Sequence, residues 1–214
     1  MKNIMLYTIL YMRILFWYTI NNDAIMKKII LLFALVSFVS VTQGQTLTDF
    51  NLKNVVDAKQ ISLKDYSSAP GLVIIFTSVA CPFDGYYGNR LKELQNEYSG
   101  KLPILLVNSY TEAPEAEEWM LKTAQANGLT LPYLSDKDQV LMTQLNAQRS
   151  PEAFVLKNTN GQFTVAYHGA IDDNAQAETG VKQTYLKDAI VNLLSGKNIV
   201  QPSARPVGCY IRKK

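Results

Sequence analysis

The chain has 214 residues, 48% of them hydrophobic and 18% charged, with a formal net charge of +3. That length supports one full-sized core and favours a single domain over two. The excess charge comes partly from lysines near both termini, and no basic stripe with interleaved aromatics lies between them, which excludes nucleic acid as a partner.

Met26-Lys27-Lys28 precedes an apolar run from Ile29 to about Val41, and Thr42-Gln43-Gly44-Gln45 follows. A basic start, an apolar stretch of about 13 residues and small residues before the break are the order of a secretory signal peptide. Residues 26–44 are therefore read as a signal, with cleavage after Gly44. The apolar run is short of the roughly 20 residues a membrane helix needs, so no stable membrane insertion of the mature domain is expected. Residues 1–25 hold a second apolar stretch, Ile4 to Ile20, interrupted by Arg13. Met26 reads as the true start and residues 1–25 as an extension of the gene model, the alternative being a membrane anchor. The product is expected to be exported, periplasmic or secreted, where its cysteines Cys81 and Cys209 can sustain a disulfide.

From Leu47 to Tyr66 two short alternating segments flank a polar centre, the pattern of an antiparallel hairpin. Leu72 to Phe76 is a continuous apolar run and reads as a central strand covered on both faces. Pro82 suits a first helical position, Leu91, Leu94 and Tyr98 recur at helical spacing, and Gly100 ends that segment. Pro103 to Val107 reads as a second buried strand, and Ala116 to Ala126 as a helix closed by Asn127-Gly128. A further helix is expected from Asp136 to about Asn146. Ala153–Leu156 and Phe163–Tyr167 read as strands of a hairpin, and Thr184 to Leu194 as a last helix ending at Gly196. The folded domain is expected to span 45–196, and 197–214, containing Cys209, to be a mobile tail.

Strand-helix-strand-helix followed by a hairpin and a helix implies an α/β fold with a parallel core. A cysteine at the first strand-to-helix junction and a proline opening the hairpin make it the order of a thioredoxin-like fold. The expected architecture is a central mixed sheet with flanking helices and an extra N-terminal β-hairpin. A thiol at a helix start faces unpaired backbone N–H groups and the positive end of the helix dipole, which favour thiolate, so Cys81 is the candidate nucleophile.

Phe76-Thr-Ser-Val-Ala-Cys81-Pro82-Phe83 resembles the peroxiredoxin-like branch of that superfamily, related to alkyl hydroperoxide reductase and thiol-specific antioxidant proteins. Asp49-Phe50-Asn51-Leu52, Ile61-Ser62-Leu63, Ser150-Pro151-Glu152-Ala153-Phe154, His168 to Asp173 and Gly208-Cys209-Tyr210-Ile211 extend the resemblance over about Leu47 to Lys214. It implies a thiol-dependent oxidoreductase of antioxidant type, acting on a hydroperoxide or a protein disulfide with an unidentified thiol as electron donor. It calls for no cofactor. Asp84 stands where a thioredoxin-type exchanger carries its second cysteine, which excludes a Cys-x-x-Cys disulfide. Ser78 matches the hydroxyl residue three positions before the reactive cysteine, whereas Ile74 replaces the proline that precedes it in peroxiredoxins. The resemblance makes Pro151 the cis-proline facing the nucleophile, brings Ser150 towards Cys81, and leaves Arg149 to supply positive charge to a thiolate or peroxide. Pro82, Asp84, Ser150 and Pro151 are thus expected at the substrate side, and Cys81, Cys209, Ser78 and Arg149 at the chemistry.

Cys209 is open to three readings: a resolving thiol that cycles with Cys81, a permanent bridge, or no internal partner. His168, the only histidine, lacks the closely spaced second ligand of a structural zinc site, so no metal is expected. The rival to an enzyme is a non-enzymatic thioredoxin-fold binding module of the cell envelope, docking a partner on the Cys81 and Pro151 loops.

Overall fold

The computed structural model describes residues 44–214. The expected extension and signal peptide lie outside the described residues, apart from Gly44.

Eleven strands and five helices follow one another: β1 Thr46–Leu47, β2 Asn51–Asn54, β3 Gln60–Ser62, β4 Gly71–Phe76, α1 Pro82–Gly85, α2 Gly88–Tyr98, β5 Ile104–Asn108, α3 Glu117–Ala126, β6 Tyr133–Ser135, α4 Val140–Leu145, β7 Arg149–Ser150, β8 Glu152–Thr159, β9 Gln162–Gly169, α5 Tyr185–Leu194, β10 Ser203–Ala204 and β11 Cys209–Tyr210. The main sheet runs β1-β9-β8-β4-β5-β6-β2-β3, with β10 added to β9. β4, β5 and β6 are mutually parallel, while β8 lies antiparallel to β4 and β2 antiparallel to β6. This is a thioredoxin-like fold, with β2 and β3 forming the N-terminal hairpin.

All six residues of β4 are buried, and their alternation splits the core in two. Val73 and Ile75 pack with Leu91, Leu94, Met120, Leu186 and Ile190 beneath α2, α3 and α5. Leu72, Ile74 and Phe76 pack on the other face with Leu141, Leu145, Phe154 and Phe163. Among the described residues no helix is long and apolar enough to cross a membrane.

Two expectations are corrected. The helix opened by Pro82 is broken between Gly85 and Gly88, because the carbonyl of Tyr86 accepts a bond from the Arg90 side chain (3.0 Å) rather than from a backbone amide one turn on. The C-terminal segment is docked rather than mobile, through β10 on β9 and β11 on β7. The Gln139 side chain then holds the last residues, donating to the carbonyl of Arg212 (2.7 Å) and accepting from the amide of Lys214 (2.9 Å).

Arg90 and Asp172 form a buried ion pair, with 8% and 5% of their side chains exposed and 2.6 Å between Nη1 and Oδ2. The Arg90 guanidinium lies 3.6 Å from the Tyr87 ring centroid, and the Tyr87 hydroxyl donates to Asp172 Oδ1 at 3.2 Å. The cluster ties α2 to the loop after β9, and so fixes the helix that follows Cys81. Asp172→Ala leaves a desolvated guanidinium without its anion, and is expected to destabilise the fold by about 3–5 kcal/mol in urea denaturation.

Candidate functional site

β4 carries the chain out of the core at Phe76, and Thr77 to Ala80 form the loop leading to Cys81. Pro82 has no N–H to lose and takes the first position of α1, with Cys81 extended at the N-cap (φ −78°, ψ 122°). Glu115, 3% exposed, organises the loop. Its carboxylate accepts from the Ser78 hydroxyl (2.5 Å), the amides of Val79 (2.8 Å) and Ala80 (3.0 Å), and Asn108 Nδ2 (2.7 Å). Burial raises the Glu115 pKa, but these hydrogen bonds outweigh it and hold the group below its usual range.

The Ser78 hydroxyl in turn accepts from the amides of Cys81 (3.0 Å) and Ala80 (3.2 Å). It is engaged in the loop scaffold, donating to Glu115 and accepting backbone N–H groups.

Across the cleft the Ser150–Pro151 peptide bond is cis. Glu152 braces this turn by accepting from the amides of Gln148 (2.8 Å) and Arg149 (3.0 Å). The carbonyl oxygen of Ser150 lies 3.5 Å from the Cys81 sulfur. The tail enters here, with Cys209 opposite Ser150 and Tyr210 opposite Arg149 in an antiparallel pair. Gly208 is required for that approach, since a Cβ would collide with the Ser150 carbonyl oxygen. Tyr110 donates its hydroxyl to the Cys209 carbonyl at 3.0 Å.

Arg149 is placed differently from the expectation. It donates to the Gly208 carbonyl at 2.8 Å, and its guanidinium stacks 3.8 Å from the Tyr210 ring centroid. Its charge clamps the tail because the β7–β11 pairing puts Tyr210 directly opposite it.

Cys81 and Cys209 form a disulfide, with Cα atoms 6.0 Å apart and 128 residues of sequence separation. Of the three readings left open by the sequence, the structure contains the bond that two share, the cycling thiol and the permanent bridge. Cys81 is 6% exposed beneath the tail, while Cys209 is half-buried.

Asp84 lies one turn beyond Cys81 with its carboxyl turned inward. Oδ2 accepts from the Ser150 hydroxyl at 2.6 Å, and Oδ1 is buried without a partner among the described residues. Burial pushes its pKa from 3.8 up to about 8, against the opposing effect of hydrogen bonds from the Ser150 hydroxyl and the Ser78 amide. The acid therefore stands protonated at neutral pH beside the cis-proline turn. With Thr77 and Ser78 it borders a cavity of about 270 Å³ behind Cys81.

The fold thus brings Cys81, Ser78, Asp84, Ser150, Pro151 and Cys209 together, with Pro82 at the helix start and Arg149 on the tail side. Glu115 and Tyr110 have no place in the sequence reading, and Glu152 and Gly208 enter it only within the stretches that carry the resemblance. Gly208 next to Cys209 was a visible signal; for Glu115 there was none, since it lies in a short turn far along the chain from the loop it holds.

The AhpC/TSA family model matches residues 43–174. The chain belongs to the AhpC/TSA family. Among solved structures, a hypothetical protein of Sinorhizobium meliloti 1021 is 26% identical, with a TM-score of 0.71 over 82% of this chain and 96% of its own. An uncharacterized conserved protein of Geobacillus kaustophilus is likewise 26% identical, with a TM-score of 0.70, covering 82% and 94%. An exposed lipoprotein thioredoxin of Streptococcus pneumoniae strain TIGR4 shares the fold, at 20% identity and a TM-score of 0.51 over 70% and 99%. A search of curated proteins finds no significant match. This family member is a thioredoxin-like redoxin with its two cysteines paired.

In the folded redoxin Asp84 keeps its proton until about pH 8, whereas unfolded it loses it near 3.8. The folded state binds more protons across that window, so rising pH removes stability there. Asp84→Asn keeps an acceptor for Ser150 without the titration. Its denaturation midpoint is expected to exceed the parent's at pH 8–9, by roughly 2–4 °C per kcal/mol recovered, and to depend less on pH. Reducing the bridge at fixed pH is expected to cost about 4–5 kcal/mol on the chain-entropy account, read as a lower urea midpoint.

Proposed function

We propose that this redoxin exchanges disulfides with an external thiol or disulfide partner, with Cys81 as nucleophile and Cys209 as the resolving thiol delivered by the tail. The observation that carries this reading is the bond between Cys81 and a Cys209 seated as a strand partner of Ser150. In the reductive direction the Cys81 thiolate attacks one sulfur of a substrate disulfide and expels the other as thiolate. Cys209 thiolate then attacks Cys81 Sγ, closing the intramolecular bond and releasing the second substrate thiolate. The substrate gains two electrons and, with solvent protons, becomes a dithiol, while the redoxin's own dithiol becomes the disulfide. An external dithiol reverses the cycle. It meets Cys209 first, because Cys81 is the more deeply covered sulfur.

Disulfide exchange is favoured over peroxide reduction because the groups assigned to a peroxide are engaged elsewhere. Ser78 is held by Glu115 and two amides, Arg149 lies on Gly208 and Tyr210, and Ile74 replaces the expected proline. In this reading Ser150 and Pro151 form the strand edge on which the tail and an extended substrate alternate, and Asp84 is the proton store beneath it. The order of residues 26–44 supports an exported, disulfide-permissive setting for this chemistry.

Incubating the reduced chain with a model protein disulfide is expected to regenerate the Cys81–Cys209 bond at one equivalent per substrate reduced. Cys209→Ser is expected to accumulate a mixed disulfide at Cys81, identified by peptide mapping, and Cys81→Ser to lose exchange altogether. Exchange retained in Cys81→Ser would overturn the assignment. An inert Cys81 in the reduced chain would instead favour the binding-module reading. One equivalent of hydrogen peroxide, supplied in place of the disulfide, is expected to close the bridge far more slowly.

A further inference from the structure

Beside the docked tail lies a cavity of about 610 Å³, a volume within the usual range of small-molecule sites. One wall is the turn before β8, carrying Gln148, Arg149 and Glu152; another is the edge of β9 at His168. The tail closes it from Ser203 to Pro206 and again at Tyr210. The concavity is therefore built partly from the fold and partly from the segment that the Cys81–Cys209 bond retains.

Its charge is lopsided. Arg149 commits one N–H to the Gly208 carbonyl and keeps the rest of its guanidinium edge. Arg205 has no hydrogen-bond or ion-pair partner among the described residues. The His168 ring, stacked on Phe154 with centroids 6.0 Å apart, adds an imidazole. Opposing them is one carboxylate, Glu152, whose Oε2 already accepts two backbone amides. A concave surface with two guanidiniums against one carboxylate carries a net positive charge and concentrates small anions, and guanidinium forks match the paired oxygens of carboxylate and phosphate groups.

We propose that this cavity binds a small dianion, a phosphate monoester or a dicarboxylate, and that binding is coupled to the Cys81–Cys209 bond because the bond holds two of its walls. The coupling follows from linkage. A ligand that needs the docked tail binds the disulfide form more tightly than the dithiol form and stabilises the disulfide by the same factor. The proposal goes beyond disulfide exchange and does not depend on turnover, only on the bond itself.

Titration calorimetry on the full chain in a zwitterionic buffer, with inorganic phosphate and with succinate as probes, tests it. One-site binding to the oxidised chain is expected from at least one probe. Phosphate alone points to a phosphate monoester, succinate alone to a dicarboxylate, and both to a site that reads two negative charges. Arg205 and His168 are exposed and outside the exchange machinery, so Arg205→Ala and His168→Ala should fold. Arg205→Ala is expected to weaken binding about tenfold, the size of a lost charge-assisted hydrogen bond. After reduction by dithiothreitol, which gives two electrons and two protons to the bridge and closes to its own cyclic disulfide, binding is expected to fall at least about tenfold. Saturating probe then lowers the reduction potential of the pair by about 30 mV per tenfold preference. No binding of either probe at millimolar concentration, or binding unchanged in both Arg205→Ala and His168→Ala, overturns the site. Equal affinity of the oxidised and reduced chains overturns the coupling.

Discussion

Cys209 reaches Cys81 because two short pieces of the C-terminal segment each find an unpaired strand edge, Ser203–Ala204 on β9 and Cys209–Tyr210 on Arg149–Ser150. Both contacts require close backbone approach, and a glycine stands at each. Gly169, at φ +133°, makes room for the Ala204 backbone, and Gly208 makes room for the Ser150 carbonyl. Only residues without a Cβ allow the tail to come this near. The sulfur–sulfur bond then closes a long loop over the sheet. Sites on either side of the tail, the cleft at Cys81 and the basic cavity at Arg205, both depend on that docking.

Beneath the tail, three acids divide the work of shaping the cleft. Glu115 stays charged and collects the Ser78–Ala80 loop through four donors, and Glu152 collects the amides before the cis-proline. Asp84 has too few donors to offset its burial and so holds a proton instead. The contrast is one of hydrogen-bond supply, since a carboxylate removed from water retains its charge only where enough N–H and O–H groups replace the lost solvent. An uncharged acid next to a sulfur pair does not repel a thiolate forming there, which suits disulfide chemistry at the same strand-to-helix junction.

The family match ends at residue 174, so it covers Cys81, Asp84 and the Ser150–Pro151 turn but not Cys209. The matched part supplies Cys81 and the strand edge at Arg149–Ser150; the unmatched part supplies the segment that occupies that edge. This division explains why the arrangement differs from a two-cysteine helix turn. With Asp84 in place of a second cysteine, the second sulfur arrives from another strand.

The sequence by itself determined the buried strand at Leu72–Phe76, the Cys81–Pro82 junction and a proline before the β8–β9 hairpin, because periodicity and glycine and proline chemistry are local; the strands at Tyr133–Ser135, Ser203–Ala204 and Cys209–Tyr210 it did not show. It also excluded a Cys-x-x-Cys pair, by the identity of one residue. It left the fate of Cys209 open, and its expected mobile tail gave way to a docked one, since pairing with β7 and β9 depends on edges that exist only after the sheet has formed. Ser78 takes its partner from Glu115, and Arg149 from Gly208 and Tyr210, all far away in sequence. Tertiary structure decided those partners because hydrogen bonding and burial are set by what the fold brings within about 3 Å, which no local pattern records.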